Sequence, residues 1–354
     1  MVEQENVVYI INSLEVGGAE VGMCRLLDGL DRSEYEVTVV VLDGRSTGVE
    51  DQIPNWVDVL RLRHSTGNLL SSGGKFVRVV RDADVIVGSL FHSAMTAKLA
   101  GVVNPGATVG TWRHSSSFKT QKRKRIFNLT SNLTDVVLAD SEAVAETLVE
   151  ETSIDSSLVH TVPIAGIKMS DYPIVTHEAT DTPVVGTVGR LTKPKNHSTI
   201  LDVAERLQET NIRFEIGGDG ELRDQLEEEI KQRELANVTL RGFVEDVPGF
   251  LSELDIYFQP SHHEGLCITV LEAMATGLPV VGSDVGGMGE NVKHRESGFL
   301  YDSTNTDAFT SAIQELAQDR SARVRLGKTG RRTVEGSFTQ ANLVSEFEKA
   351  VEKN

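Results

Sequence analysis

Residues Gln259–Val281, QPSHHEGLCITVLEAMATGLPVV, set two carboxylates, Glu264 and Glu272, eight positions apart in an apolar stretch. Leu266, Ile268, Val270, Leu271, Ala273 and Met274 make Leu266–Thr276 apolar nearly all round, which predicts a buried helix. The start of such a helix offers unpaired N–H groups and the positive dipole end, an anion site. Here those amides belong to Leu266, Cys267 and Ile268. Glu264 would stand at the anion end and Glu272 about two turns deeper, roughly 12 Å by helical rise. That spacing suits a diphosphate with hydroxyl-bearing sugars on either side. The plainer alternative for Glu272 is a partner such as arginine, because an unpaired buried carboxylate is costly.

Further residues join this chemistry. Gly189–Lys195, GRLTKPK, puts Arg190 and Lys195 on a predicted strand-to-helix turn. There an Arg fork and a Lys point charge neutralise a leaving diphosphate without a metal, unless both are mere surface cations. Gly17-Gly18 and Gly217-Gly218 leave room for backbone to approach a ligand, or simply make a helix entry and a turn. Phe243 and Val244 either cover a nucleobase or face the core. His114 ends a strand of the first half, where ligand sites of α/β sheets lie, and His92 follows another strand. His262 and His263 make no metal pair, since adjacent side chains diverge and only Glu264 is a nearby carboxylate. Asp82-Ala83-Asp84 reads as a helix-to-strand turn.

These residues need a scaffold. Short Val/Ile-rich runs alternate with helical patterns throughout, which predicts parallel strands buried on both faces with helical crossovers, a doubly wound α/β arrangement. Strands are expected at Val7–Asn12, Tyr35–Asp43, Val57–Arg63, Asp84–Leu90, Ala107–Trp112, Thr134–Ser141 and Leu158–Ile164. Helices are expected near Ala19–Leu30, Lys75–Arg81, His92–Gly101, Thr120–Thr130 and Glu142–Glu151. Ala165–Pro183 is polar and aperiodic and reads as a linker. A second alternation follows, with strands at Val184–Arg190, Arg213–Gly217, Val238–Gly242, Ile256–Pro260, Pro279–Ser283 and Gly298–Tyr301. Two Rossmann-like halves, 1–166 and 167–336, facing a cleft are therefore expected. No GxGxxG follows a strand, which disfavours a nicotinamide enzyme.

With 354 residues, two ordinary domains fit, and 39% hydrophobic with 25% charged residues excludes global disorder. No apolar run approaches a membrane span, and MVEQENVVYI lacks the marks of a signal peptide. Two isolated cysteines, Cys24 and Cys267, make no disulfide framework and fit a reducing cytoplasm. A net charge of -17 argues against nucleic acid as a partner. Arginines outnumber lysines, a bias that a salt-adapted or an ordinary acidic protein would share. One patch, Lys119, Lys122, Arg123, Lys124 and Arg125, runs against this background and is expected to face either solvent or anionic lipid, at the inner face of the cell membrane.

Glu264, Gly265 and Glu272, with Ala273-Met274-Ala275 and Gly277–Val281, strongly resemble the E-x7-E segment of retaining glycosyltransferase family 4. Asn12–Glu20 is similar to its first glycine-rich loop, Gly189–Lys195 to its GRL…K element, Gly217–Glu221 to its G-x-G-x-[EP] turn, and Leu240–Phe250 to its base-binding stretch. The resemblance implies a GT-B fold, the donor held by the second domain, the acceptor by the first, and residues 337–354 packing back on the first. It implies transfer of a hexose-type sugar from a UDP- or GDP-linked donor to a hydroxyl, with retention and with no cofactor or metal. Arg190, Lys195 and the amides of Leu266, Cys267 and Ile268 would hold the diphosphate. Glu264 would orient the sugar, Glu272 the ribose, and His114 would hydrogen-bond the donor sugar near the reacting centre. Gly17, Gly18, Gly218, Phe243, Val244 and Gly265 would complete the donor site. A lipid-linked glycan, glycolipid or polysaccharide product is implied. The alternatives are a GT-B epimerase of nucleotide sugars and a non-catalytic nucleotide-sugar-binding subunit. Cys267 replaces a common glycine, and Pro163–Ile167 lacks the Asn and Asp of the usual hinge.

Overall fold

The computed structural model describes residues 4–44, 48–62, 69–115, 117–175 and 182–352. The expected end of the third strand at Arg63 and the linker positions 176–181 lie outside them. The chain divides into two compact units, 1–166 with 340–354, and 167–339.

The first unit alternates β1 (Glu5–Ile11), α1 (Gly18–Gly29), β2 (Tyr35–Val41), β3 (Asp58–Arg61), α2 (Leu69–Arg81), β4 (Val85–Ser89), α3 (Phe91–Val103), β5 (Thr108–Arg113), α4 (Gln121–Leu129), β6 (Val136–Ala139), α5 (Glu142–Glu151) and β7 (Val159–Thr161). All seven strands pair in parallel, in the order β3-β2-β1-β4-β5-β6-β7. Val8, Ile10, Val40, Ile86 and Val109 form one buried layer under helices, which is why these strands show no polar alternation. Helix α2 starts at Leu69, six residues before its expected start at Lys75.

The second unit runs β8 (Val184–Val188), α6 (His197–Arg206), β9 (Arg213–Gly217), α7 (Arg223–Gln232), β10 (Val238–Gly242), α8 (Val247–Ser252), β11 (Ile256–Gln259), α9 (Ile268–Ala275), β12 (Val280–Ser283), α10 (Gly287–Asn291), β13 (Gly298–Tyr301), α11 (Thr306–Gln318) and α12 (Arg320–Ser337). Its sheet is again parallel, in the order β10-β9-β8-β11-β12-β13. Val185, Phe214, Ile216, Ile256, Phe258 and Val281 centre its core.

The last helix, α13 (Gln340–Val351), belongs to the first unit. Gln340 Nε2 donates to Arg25 O (2.7 Å) and Phe347 stacks on Trp112 at 5.9 Å. The expected boundary at 337 moves to 340, because Ile167 N donates to Phe338 O (2.8 Å) and Ile167 bridges Thr339, which holds 338–339 to the second unit. Asp84 acts as a turn residue, its carboxylate accepting Asn6 N at 2.9 Å. Asp255 does the same for Val184 N (3.0 Å) in the other sheet.

Candidate active site

In the second unit strand order reverses between β8 and β11, and ligands of open α/β sheets bind at such a switch point, beyond the carboxyl ends of the strands. The loops leaving these two strands meet there. His262 N donates to Pro194 O (2.8 Å), and Asn196, left-handed at φ 55°, donates from Nδ2 to Pro260 O (2.9 Å). This brings Lys195 Nζ to Glu264 Oε1 at 2.8 Å. The same oxygen accepts from Ser261 Oγ (2.6 Å), and Ser261 Oγ accepts from Gln259 Nε2 (2.7 Å). Gln259 Oε1 accepts in turn from Tyr257 OH (3.1 Å) and Thr187 Oγ1 (3.2 Å). Thr187, Tyr257, Gln259 and Ser261 are all buried, so this chain of donors holds the Glu264 carboxylate in one orientation.

The electrostatics follow from that packing. Burial opposes the Lys195 ammonium, yet the Glu264 carboxylate beside it outweighs burial and raises the group above its ordinary 10.5. Burial, followed by the Glu264 charge, pushes the Cys267 thiol up to about 12, so at neutral pH it is protonated and a poor nucleophile. Burial, followed by Lys195, pushes His197 down to about 4, leaving it neutral.

Helix α9 begins at Ile268, two residues after its expected start at Leu266. Cys267 caps it in the left-handed region (φ 59°, ψ 68°), a conformation that favours glycine. Only Glu272 lies in the helix, so the helical-rise separation of the two glutamates does not apply. Glu272 is buried, and its Oε1 accepts Tyr172 OH at 2.9 Å. Gly286 (φ 51°) packs against the glutamate loop, where a Cβ would meet Glu264 O at 2.1 Å, and Gly287 N donates to Gly265 O at 2.6 Å. Leu266 is buried.

Other expected residues separate. Arg190 is exposed and makes no ion pair among the described residues, whereas Lys195 is engaged. Gly218 (φ 136°) serves chain packing, since a Cβ there would lie 1.8 Å from Gly189 O. Phe243 is 61% exposed, whereas Val244 packs over Gly217. The pair expected to act together thus points to two environments.

In the first unit, Gly17 is extended (φ -161°) and precedes α1, which starts at Gly18. A Gly17 Cβ would lie 2.5 Å from Glu20 Oε2, so a carboxylate of the chain itself folds over this helix start. His114 follows β5, with Nδ1 2.9 Å from Asp140 Oδ2 and Nε2 2.7 Å from Ser89 Oγ. Trp112 stacks on His114 at 5.9 Å and donates from Nε1 to Asp140 Oδ1 (2.9 Å). His92 is exposed and accepts a 3.4 Å contact from Arg123.

Comparison with known proteins decides the family. The profile described as glycosyl transferases group 1 matches residues 171–333, and that described as glycosyltransferase family 4 matches residues 16–165. The chain belongs to glycosyltransferase family 4. It is 26% identical over 309 residues to the EpsF protein of Bacillus subtilis (strain 168), covering 79% of each chain. It is 27% identical to the UDP-Gal:alpha-D-GlcNAc-diphosphoundecaprenol alpha-1,3-galactosyltransferase of Escherichia coli, covering 72% of this chain and 70% of that one. Among solved structures it resembles Anabaena Alr3699/HepE in complex with UDP and glucose, with a TM-score of 0.84, 19% identity, and coverage of 98% of this chain and 99% of that one. The two parallel-sheet units are those of a GT-B glycosyltransferase.

In this glycosyltransferase the basic patch divides. Lys124 pairs with Glu151 (3.0 Å), and Arg123 lies over Phe91 at 5.0 Å beside His92. Lys119, Lys122 and Arg125 are exposed and without an ion pair among the described residues. At the end of the same helix α4, Leu129 is 81% exposed, and Leu99 and Val102 of α3 are exposed as well. No described helix is long and apolar enough to cross a membrane, and no described group of three His, Cys, Asp or Glu residues is placed to hold a metal ion.

Ser261, Gln259, Tyr172, Ser89 and Asp140 escaped the sequence reading. Tyr257 and Gln259 did carry a signal, two polar-tipped residues at i and i+2 in a strand otherwise apolar. Tyr172 lies 100 residues from its partner Glu272 and carried none.

Proposed function

We propose that this glycosyltransferase moves a hexose-type sugar from a UDP- or GDP-linked donor to a hydroxyl with anomeric retention, in the synthesis of a lipid-linked glycan, glycolipid or polysaccharide. The observation that carries the reading is the Lys195–Glu264 pair at the switch point of the second unit, with its buried chain of donors. The second unit holds the donor and the first unit the acceptor. Lys195, Arg190 and the amides at the start of α9 neutralise the departing diphosphate, so no metal is needed. Freed from Lys195 by the diphosphate, Glu264 accepts hydrogen bonds from sugar hydroxyls, and Glu272 serves the ribose. The Cys267 thiol is protonated, and the Glu264 carboxylate is assigned to the sugar hydroxyls, so no covalent intermediate is invoked. Attack from the leaving-group face, with the departing phosphate taking the acceptor proton, fits this set.

The test is a panel of UDP- and GDP-sugars scored by thermal shift and by turnover. A ligand that binds only the folded state raises Tm. The right donor raises Tm in the parent and not in Lys195→Ala, and turnover survives EDTA. Release of isomerised donor without acceptor would instead identify an epimerase, and binding without turnover a non-catalytic subunit. Loss of turnover in EDTA, restored by Mg2+, would overturn the metal-free reading.

A second reading concerns location. Three uncompensated cations, two of them on the helix that ends at exposed Leu129, suit an anionic lipid surface, with about 1 kcal/mol per cation. Lys122→Glu/Arg125→Glu is expected to release the protein from vesicles containing phosphatidylserine. Equal sedimentation of parent and variant would refute it.

A further inference from the structure

His114 and Asp140 are brought together by strand register. Arg113 of β5 pairs with Ala139 of β6, and His114 and Asp140 are each the next residue along. Ser89 of β4 pairs with Trp112 of β5, two residues before His114. The outcome is a closed set of contacts: Asp140 Oδ1 accepts the Trp112 indole N–H, Asp140 Oδ2 meets His114 Nδ1, and Ser89 Oγ meets His114 Nε2. Asp140 is 3% exposed and Ser89 fully buried, so neither can trade its partner for water.

The donor and acceptor roles follow from the chemistry of the groups. An ionised carboxylate only accepts, so His114 Nδ1 must carry the proton. A neutral ring then has a lone pair on Nε2, and the Ser89 hydroxyl donates to it. The Trp112 N–H fills the second carboxylate oxygen, and the indole lies against the imidazole at an interplanar angle of 22°, which fixes the ring plane.

We propose that Asp140 is a positioning residue that locks His114 in the Nδ1–H tautomer, so that Nε2 faces the substrate as a hydrogen-bond acceptor. Ser89 occupies that acceptor in the free enzyme; when a substrate hydroxyl takes its place, the Ser89 hydroxyl turns to the neighbouring Tyr9 hydroxyl, which is buried without a partner of its own among the described residues. The ligand class is thus a hydroxyl that donates, as a sugar hydroxyl does, and not an anion or a carbonyl. The inference rests on the reading of His114 as a substrate-contacting residue.

The experiment combines steady-state kinetics with the imidazole 15N spectrum of the full chain, His114 being assigned by the signal missing in His114→Ala. In the parent, the His114 ring shows Nδ1–H and an unprotonated Nε2. In Asp140→Asn the carboxamide presents an N–H to Nδ1 and reverses the tautomer, and kcat/KM falls 10- to 100-fold. His114→Ala falls by a similar factor, and His114→Ala/Asp140→Asn falls no further than His114→Ala alone. A purely structural role for Asp140 would make the two losses multiply. Unchanged turnover in His114→Ala would remove the His114 reading and this inference with it. A large loss in His114→Ala with near-normal Asp140→Asn would overturn the inference alone. An Nε2–H ring in the parent would overturn it even if Asp140→Asn failed to fold.

Discussion

Glu264→Gln separates charge from shape at the centre of the site. In the parent one oxygen, Oε1, takes both Lys195 Nζ (2.8 Å) and Ser261 Oγ (2.6 Å), and a glutamine carbonyl can accept the same two bonds. Only the negative charge goes. At 2.8 Å and an effective dielectric of about 20, the lost attraction is about 6 kcal/mol before desolvation is counted. Most of this is offset, because the glutamate no longer has to shed water, and the Lys195 side chain is 21% exposed to solvent. The expected net loss of stability is therefore about 2 kcal/mol, below the range for a fully buried pair. Lys195 is held above its ordinary value, so its half of the pair persists below pH 10.5 and is lost only as pH rises through the higher folded value. The stability gap between parent and variant should accordingly be flat from about pH 6 to 9 in urea titrations. For ligands the signs differ. Lys195 without its carboxylate is a better anion site, so isothermal titration should show UDP or GDP binding as tightly as in the parent or tighter. Turnover should fall at least about 100-fold, near 3 kcal/mol of barrier, because the sugar hydroxyls then meet a neutral amide in place of a charged carboxylate. Nucleotide affinity lost in Glu264→Gln as fully as in Lys195→Ala would show that the glutamate serves only to hold the lysine, and the assignment would fail.

Two predictions concern stability. Lys98 is buried against the Phe127 ring (4.2 Å) and bonded to Thr130 (3.2 Å), and burial lowers its ammonium from 10.5 to about 8. Folding thus works against that proton, and stability should rise with pH between about 8 and 10.5; Lys98→Met should remove the slope and gain about 2 kcal/mol at pH 7, whereas an unchanged slope would refute this. At left-handed Cys267, Val should cost about 2 kcal/mol, because a β-branched residue fits φ > 0 worst, while Gly stays within about 1 kcal/mol of the parent; equal Tm losses for Val and Gly would contradict it.

What the sequence reveals and conceals has one physical cause. Strands buried on both faces advertise themselves as Val/Ile runs, so each of the thirteen strands overlaps an expected segment and eleven lie within one; β1 begins two residues early, at polar Glu5, and β5 ends one residue late, at Arg113, where no apolar side chain marks the strand. Strand order has no such local mark. Lys195 and Glu264 stand out individually by type and turn position, but their 2.8 Å contact spans 69 residues and exists only because β8 and β11 are neighbours. The same holds for His114, whose position was legible while Asp140, 26 residues on, was not, since their meeting depends on the Arg113–Ala139 register. Glycines mislead for a related reason. Gly218 reads as room for a ligand, yet chain packing alone already demands a glycine there, since a Cβ would lie 1.8 Å from Gly189 O. Local pattern therefore reports what a residue can do, and register decides to whom it does it. On that argument Asp140, whose role exists only through its neighbour strand, should respond to anything that moves β5 against β6. Phe347→Ala, which removes the ring stacked on Trp112 at 5.9 Å, should then disturb the His114 15N signal even though α13 is far away in sequence; a spectrum unchanged in a folded Phe347→Ala protein would show that the Trp112–Asp140 bond alone sets the ring.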